Sequence, residues 1–252
     1  MPYTDTETGT QSLLAELIRL ALAESNSAIR LSILRQLALI VNKFVQPDDV
    51  VLSTGNLWKS SIGLLEMEQF SESAIHVVFW IAKGLILRLA NTTEVLEHLL
   101  SLLANPTCAL SSARGFNLLL APDEILSKEN GATIRLLARQ KVFNICAPRI
   151  VKNFRQAETS LKPNYLIALS GILKYTPTEV LMPEIETLLP LLLQSLDLQD
   201  PDVQAATMEN LMTVSQENPK AVEGHISSLT SRLLKAAAET TGNVPVCTRN
   251  IA

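Results

Sequence analysis

The chain has 252 residues, with 47% apolar side chains, only 4% aromatics, nine glycines and a formal net charge of −4. This aliphatic, glycine-poor balance argues against a strand-and-turn protein or a glycine-rich nucleotide binder, and it fits stacked amphipathic helices that pack on Leu and Ala ridges. The longest apolar stretch, residues 75–90, is broken by His76, Lys83 and Arg88, short of the roughly 20 uninterrupted apolar residues that a membrane span needs.

In chain order, residues 1–10 are polar and read as a disordered tail, without the basic and apolar regions of a secretory signal. Residues 11–23 are predicted helical, with Leu13, Leu14, Leu17, Ile18 and Ala21 on one face. Residues 27–44 form the partner helix, with Ile29, Ile33, Leu37, Ile40 and Phe44 at steps of three or four. Residues 46–69 contain Pro47, Gly55 and Gly63 and read as a short, irregular helix paired with 71–89. Residues 92–104 and 107–120 form a third pair, with Asn105 as N-cap and Pro106 at the first helical position.

Pro122-Asp123 and Asn130-Gly131 mark a loop over 121–131, and 132–141 reads as an additional short helix. A fourth pair spans 142–156 and 163–175, and a fifth spans 183–196 and 201–216. The fifth is the clearest: Ile185, Leu188, Leu189, Leu192 and Leu196 keep helical spacing, and Asp200 and Pro201 start the next helix, whose inner face is Val203, Thr207, Leu211 and Val214. Asn218-Pro219 opens a sixth pair over 220–239, and a last helix near Pro245 is cut off within its first turns. A fragment of a longer array is therefore expected.

The prolines of the turns at Pro163, Pro201 and Pro245 are 38 and 44 residues apart, and the longer step of 57 from Pro106 to Pro163 holds the extra loop. A period near 40 built from helix pairs marks a HEAT- or armadillo-type solenoid. Residues 11–252 are thus expected to be all-α: a right-handed α-α superhelix of about five to six helical hairpins, the C-terminal pair truncated. Such a stack offers surfaces rather than a pocket, which favours binding over catalysis.

No catalytic constellation emerges. The chain lacks a phosphate-binding glycine loop, a nucleophile elbow and a His-Glu-x-x-His pair, so no enzyme is expected. His76, His98 and His225 fall in separate helices and read as surface or partly packed side chains. Cys108, Cys146 and Cys247 lack metal-ligand spacing and read as core thiols of a reducing compartment, so no metal or other cofactor is expected. Phe79 and Trp80 read as core, and Gly84 and Gly115 as points of close helix approach.

Charge is distributed unevenly. Residues 101–175 carry 10 basic and 4 acidic side chains, and residues 176–252 carry 4 and 10. Arg135, Arg139, Lys141, Arg149, Lys152, Arg155 and Lys162 fall within 28 residues. Arg135 and Arg139 share a helix face, as do Arg149, Lys152 and Arg155. This belt is a candidate docking surface for an acidic partner, with Tyr165 as an aromatic anchor; the plain alternative is solvated charge on two helices. Direct nucleic-acid binding is disfavoured by the acidic overall balance and by the scarcity of aromatics for base stacking.

Ordered strings add a resemblance: WIAKGLILR from Trp80, ARGFNLL from Ala113, Ile134-Arg135 with RQKVF from Arg139, KPNYL from Lys162, and LMPE from Leu181 with the apolar run 188–193. Over about residues 71–252 the chain resembles the C-terminal HEAT domain of the MMS-nineteen (methyl-methanesulfonate-sensitivity) family of nucleotide-excision-repair and transcription proteins, scaffolds of cytosolic iron–sulfur cluster targeting. The resemblance implies a scaffold in cytoplasm and nucleus that binds a small iron–sulfur assembly subunit and a WD-repeat propeller subunit. It also implies capture of apo clients such as DNA-repair helicases, primase and polymerases, with any cluster handled by the partners. The alternative on the same fold is a generic HEAT adaptor, karyopherin-like or phosphatase-regulatory.

Overall fold

The computed structural model describes residues 3–45 and 54–241, which are helical apart from turns and one long loop, with no strand among them. The helices are α1 (Tyr3–Ala23), α2 (Ser27–Phe44), α3 (Thr54–Met67), α4 (Glu72–Leu87), α5 (Thr92–Leu102), α6 (Ala109–Leu120), α7 (Ala138–Gln156) and α8 (Lys162–Leu173). They continue as α9 (Thr178–Leu181), a 3-10 turn Met182–Glu184, α10 (Ile185–Ser195), α11 (Pro201–Glu217), α12 (Pro219–Glu223) and α13 (Ile226–Thr241).

Consecutive helices pack as hairpins, α1 with α2, α3 with α4, α5 with α6, α7 with α8 and α10 with α11. The second helices stack on one another, α2 on α4, α4 on α6, α6 on α8 and α8 on α11, while α5 meets α7 and α10 meets α13 in the other layer. The fold is an all-α helical-repeat superhelix of two layers. Its core is one aliphatic cluster running from Leu14 to Val222.

Caps define the helix starts. Asn26 accepts from the Ala28 and Ile29 amides, Ser71 from Ala74, and Asp200 from Asp202 and Val203, each satisfying donors that the first turn leaves free. The α10 stripe Ile185, Leu188, Leu189, Leu192 and the α11 face Val203, Thr207, Leu211, Val214 are buried as their spacing dictates. Helix α4 is buried almost all round, because α1, α2, α3, α5, α6 and α7 all touch it. No described helix is long and apolar enough to cross a membrane.

Glycines set the inner spacing. A Cβ on Gly84 would lie 2.7 Å from the Ala38 carbonyl, and one on Gly115 would lie 2.6 Å from the Phe79 ring. The Phe79 and Phe116 rings then meet edge to face at 5.6 Å.

Several expectations are corrected. Residues 3–10, expected in a polar tail, belong to α1, which begins at Tyr3. The buried stripe of α2 is Leu34, Leu37, Ala38, Val41, and Ile29 and Phe44 are 51% and 53% exposed. Apolar residues surround this helix, so spacing alone admits more than one stripe. Helix α6 starts at Ala109 rather than 107, after a turn in which the Asn105 side chain accepts from the Thr107 amide. The first member of the second pair is one 14-residue helix, α3, and the short helices α9 and α12 precede α10 and α13. The truncated helix near Pro245 lies outside the described residues, as do Pro47 and Cys247.

No separate helix forms over 132–141. Residues 121–137 are instead an ordered strap laid along the seam of α2 and α4, and α7 begins at Ala138. Asp123 starts the strap, its Oδ1 accepting from the Ile125 and Leu126 amides and its Oδ2 lying 2.9 Å from Arg35 Nε. Leu126 and Ala132 enter the core. Further along, the Lys43 ammonium donates to the Asn130 carbonyl. The buried Asn42 amide donates to the Gly84 and Thr133 carbonyls at 2.9 and 3.0 Å and accepts from the Thr133 N–H at 2.7 Å. The Arg135 N–H donates to the Leu87 carbonyl at 2.7 Å.

Lys83 is buried beneath the strap. Its ammonium donates to the Ala121 carbonyl at 2.7 Å and lies 5.0 Å from the centre of the Trp80 ring. Burial pushes its pKa down from 10.5 to about 8, the Asp123 carboxylate opposing and Arg35 adding to the shift. Between these two values the unfolded chain keeps a proton that the folded chain has released, so this group makes stability rise with pH across that window. The rise is on the order of 1 kcal/mol per pH unit. Urea midpoints of the wild type should therefore climb relative to those of Lys83→Met between about pH 8 and about pH 10. Parallel curves would show that Lys83 is not desolvated.

Candidate docking surface

Helix α7 builds the surface. Its inner stripe, including Val142, Phe143, Cys146, Ile150 and Phe154, is buried against α5 and α8. Lys141, Lys152 and Arg155 share the opposite face, since eleven and three residues are near-integral numbers of turns. No carboxylate occurs anywhere in residues 131–157. The first turn of α7 holds no acidic residue, and it carries Arg139 and Lys141. Cations at a helix N-terminus oppose the dipole, so the local field is positive from two sources.

The structure divides the predicted belt. Arg135 ends the strap, so it does not share a helix face with Arg139 as the spacing suggested; Arg139 is exposed in the first turn of α7, and Lys152 and Arg155 are exposed along it, with Lys141 half-buried between. Arg149 is not free for a partner: its guanidinium donates to Glu97 Oε1 of α5 at 2.6 Å and ties two repeats together. At this half-exposed pair the contribution is of order 0–1 kcal/mol. Lys162 lies 5.4 Å over the Phe154 ring at the start of α8. Tyr165 is corrected outright as an anchor: it is 3% exposed and belongs to the core cluster. Helix α8 is enclosed by α6, α7, α10 and α11, and burial raises the pKa of the Tyr165 phenol.

Beside the basic face runs a groove between α7 and α10 of about 590 Å³. Phe143, Ala147, Val151 and Leu188 line it, and Lys152, Arg155 and Glu184 add charge. Asn144 and Pro148 also border it. Proline inside a helix has no N–H to give the residue four before it, so Pro148 leaves the Asn144 carbonyl an acceptor beside the groove. The groove was not visible in the sequence, because it arises from two helices about 40 residues apart. Leu136 and Leu137, read above as part of a helix, are instead 86% and 63% exposed at the end of the strap.

The Trp58 indole N–H donates to His98 Nδ1 at 3.0 Å. Desolvation lowers the His76 pKa. Cys108 and Cys146 are buried thiols whose pKa burial raises. Among the described residues no three His, Cys, Asp or Glu side chains gather at metal-binding distance.

The profile of a family described as the RNAPII transcription regulator C-terminal domain, MMS19_C, matches residues 4–249. The chain belongs to the MMS19 C-terminal family. The MMS19 nucleotide excision repair protein homolog of Xenopus laevis is 35% identical over 227 residues, 88% of this chain and 22% of the relative. The human protein of the same name is 34% identical over 167 residues, 66% of this chain and 16% of the relative. The Saccharomyces cerevisiae relative, named as a DNA repair/transcription protein, is 30% identical over 211 residues, 81% of this chain and 19% of the relative. The chain thus spans about a fifth of the length of these MMS19 relatives. The match includes residues 4–70, where the quoted strings gave no resemblance.

Proposed function

We propose that the chain is part of a non-enzymatic HEAT-type scaffold of DNA repair and transcription, acting in cytoplasm and nucleus. In this role it links the cytosolic iron–sulfur assembly machinery to apo client proteins. Its partners would be a small assembly subunit, a WD-repeat propeller and apo clients such as a DNA-repair helicase. Membership of the MMS19 family and the repair and transcription names of its relatives support the setting. The observation that carries the mode of action is the carboxylate-free outer face of α7, with Lys152 and Arg155 beside the apolar groove against α10. A cationic rim around an apolar floor steers and seats an acidic partner surface.

Protein rather than nucleic acid is the fitting partner. The α7 aromatics, Phe143 and Phe154, are both buried and so offer no stacking platform for bases. Affinity purification from cell extract with the chain as bait tests the assignment. Recovery of the propeller and the small assembly subunit is the expected result. Recovery of importin cargo or phosphatase subunits in their place would favour the generic adaptor and overturn the assignment.

A further inference from the structure

Leu136 and Leu137 are adjacent, 86% and 63% exposed, and held on a fixed backbone. The N–H of Arg135 is bonded to the Leu87 carbonyl of α4 at 2.7 Å. The Ala138 amide donates to the Arg135 carbonyl and the Lys141 amide to the Leu137 carbonyl. Two residues earlier, Thr133 is clamped in both directions by Asn42. Exposed leucines on a frayed segment would collapse or move aside. Here these backbone hydrogen bonds and the two-way clamp hold them out in water, where each incurs a hydration cost that contact with a partner would remove.

The flanks state what kind of partner fits. In the chain Arg135 directly precedes the pair and Arg139 follows it one residue later, both exposed, with Lys141 further along α7. No carboxylate lies in the chain from Gly131 to Ala157, and the exposed N-terminal end of α7 adds its own positive pole. The result is an apolar centre with a cationic border. An amphipathic helix with an acidic border around an apolar stripe is its complement in both respects, and a rigid apolar anchor inside a charged rim is the usual anatomy of a binding hot spot.

We infer that Leu136–Leu137, framed by Arg135 and Arg139, is a docking knob for an acidic amphipathic helix of a protein partner. The inference rests on the scaffold assignment above and adds a second contact, at the strap rather than in the α7–α10 groove. Because the knob is preorganised by α2 and α4, its ordering cost is met on folding rather than on binding.

Fluorescence anisotropy with the full chain tests it. The probe is a labelled peptide about four helical turns long, with leucines at i, i+3, i+4 and i+7 bordered by glutamates, and a scrambled peptide serves as control. The wild type should bind the designed peptide in preference to the scrambled one. Leu136→Ser with Leu137→Ser should weaken binding at least tenfold without lowering the melting temperature, since neither side chain belongs to the core cluster and serine suits the N-cap position of α7 that Leu137 holds. Arg135→Glu with Arg139→Glu should weaken it several-fold, and the difference from wild type should shrink as salt is raised. No binding, equal binding to all variants, or tighter binding of a single-stranded oligodeoxythymidine at the same residues would overturn the inference. Reversal of Lys152 and Arg155 separates the two surfaces. If that reversal abolishes partner capture while the leucine variants capture normally, the groove stands and the knob falls.

Discussion

Gly171→Ala is expected to destabilise the chain by about 2 kcal/mol, although alanine is the better helix former by about 1 kcal/mol. A Cβ at Gly171 would lie 2.7 Å from the Asn117 nitrogen and 2.9 Å from its Cα. Those atoms belong to the backbone of α6, so no rotamer change can make room, and α6 and α8 must move apart. These are the central members of the inner layer, and each also packs against the next helix along the stack. Overpacking between backbones therefore spreads to the Phe116 and Leu169 layers on either side. Gly63 in α3 supplies the control, since a Cβ there meets nothing within 4 Å. Gly63→Ala should stabilise by up to about 1 kcal/mol. Urea midpoints read both. If the two variants shift in the same direction, the close approach of α6 and α8 is wrong.

Asn42→Ala should cost about 2–3 kcal/mol, the loss of three hydrogen bonds and the orphaning of strap groups. Asn42 is 1% exposed. Its side chain is the only bridge among the described hydrogen bonds that joins α2, α4 and the strap at one point. Amide exchange should accelerate at Ala132, Thr133 and Arg135, which are protected by the strap's contacts, and stay slow in α10 and α11. Asn42→Asp should be no better despite its similar shape, because a carboxylate cannot donate to the Gly84 and Thr133 carbonyls and brings a buried charge. Exchange that is unchanged in the strap would mean the clamp is not what holds it.

The parts of the fold that were legible in the sequence are those fixed locally. Asp200 and Pro201 start α11 through a cap and a preset φ angle, and the apolar stripe of α10 has a single possible face, so both followed from spacing. Helix α2 was legible as a helix but not in its rotation, because apolar side chains surround it and only the partner helices select Leu34, Leu37, Ala38 and Val41. The strap was illegible for a different reason. It is held by pairs such as Asn42 with Thr133, 91 residues apart, which leave no periodic trace. Of the belt, Lys152 and Arg155 lie where helical spacing places them. The side-pairing of Arg149 with Glu97 and the burial of Tyr165 depend on helices that pack from elsewhere in the chain. The adjacent leucines between Arg135 and Arg139 did carry a signal, since a run of apolar residues between two arginines suits a surface as well as a helix interior.

We propose the outer face of α7 and its groove with α10 as the main docking surface. The direct measurement is capture of partners from cell extract by the chain carrying Lys152→Glu and Arg155→Glu. Both side chains are exposed, so the variant should melt with the wild type. Docking at this face predicts loss of the propeller and the small assembly subunit from the captured set. Undiminished capture of both by a folded double variant would contradict it.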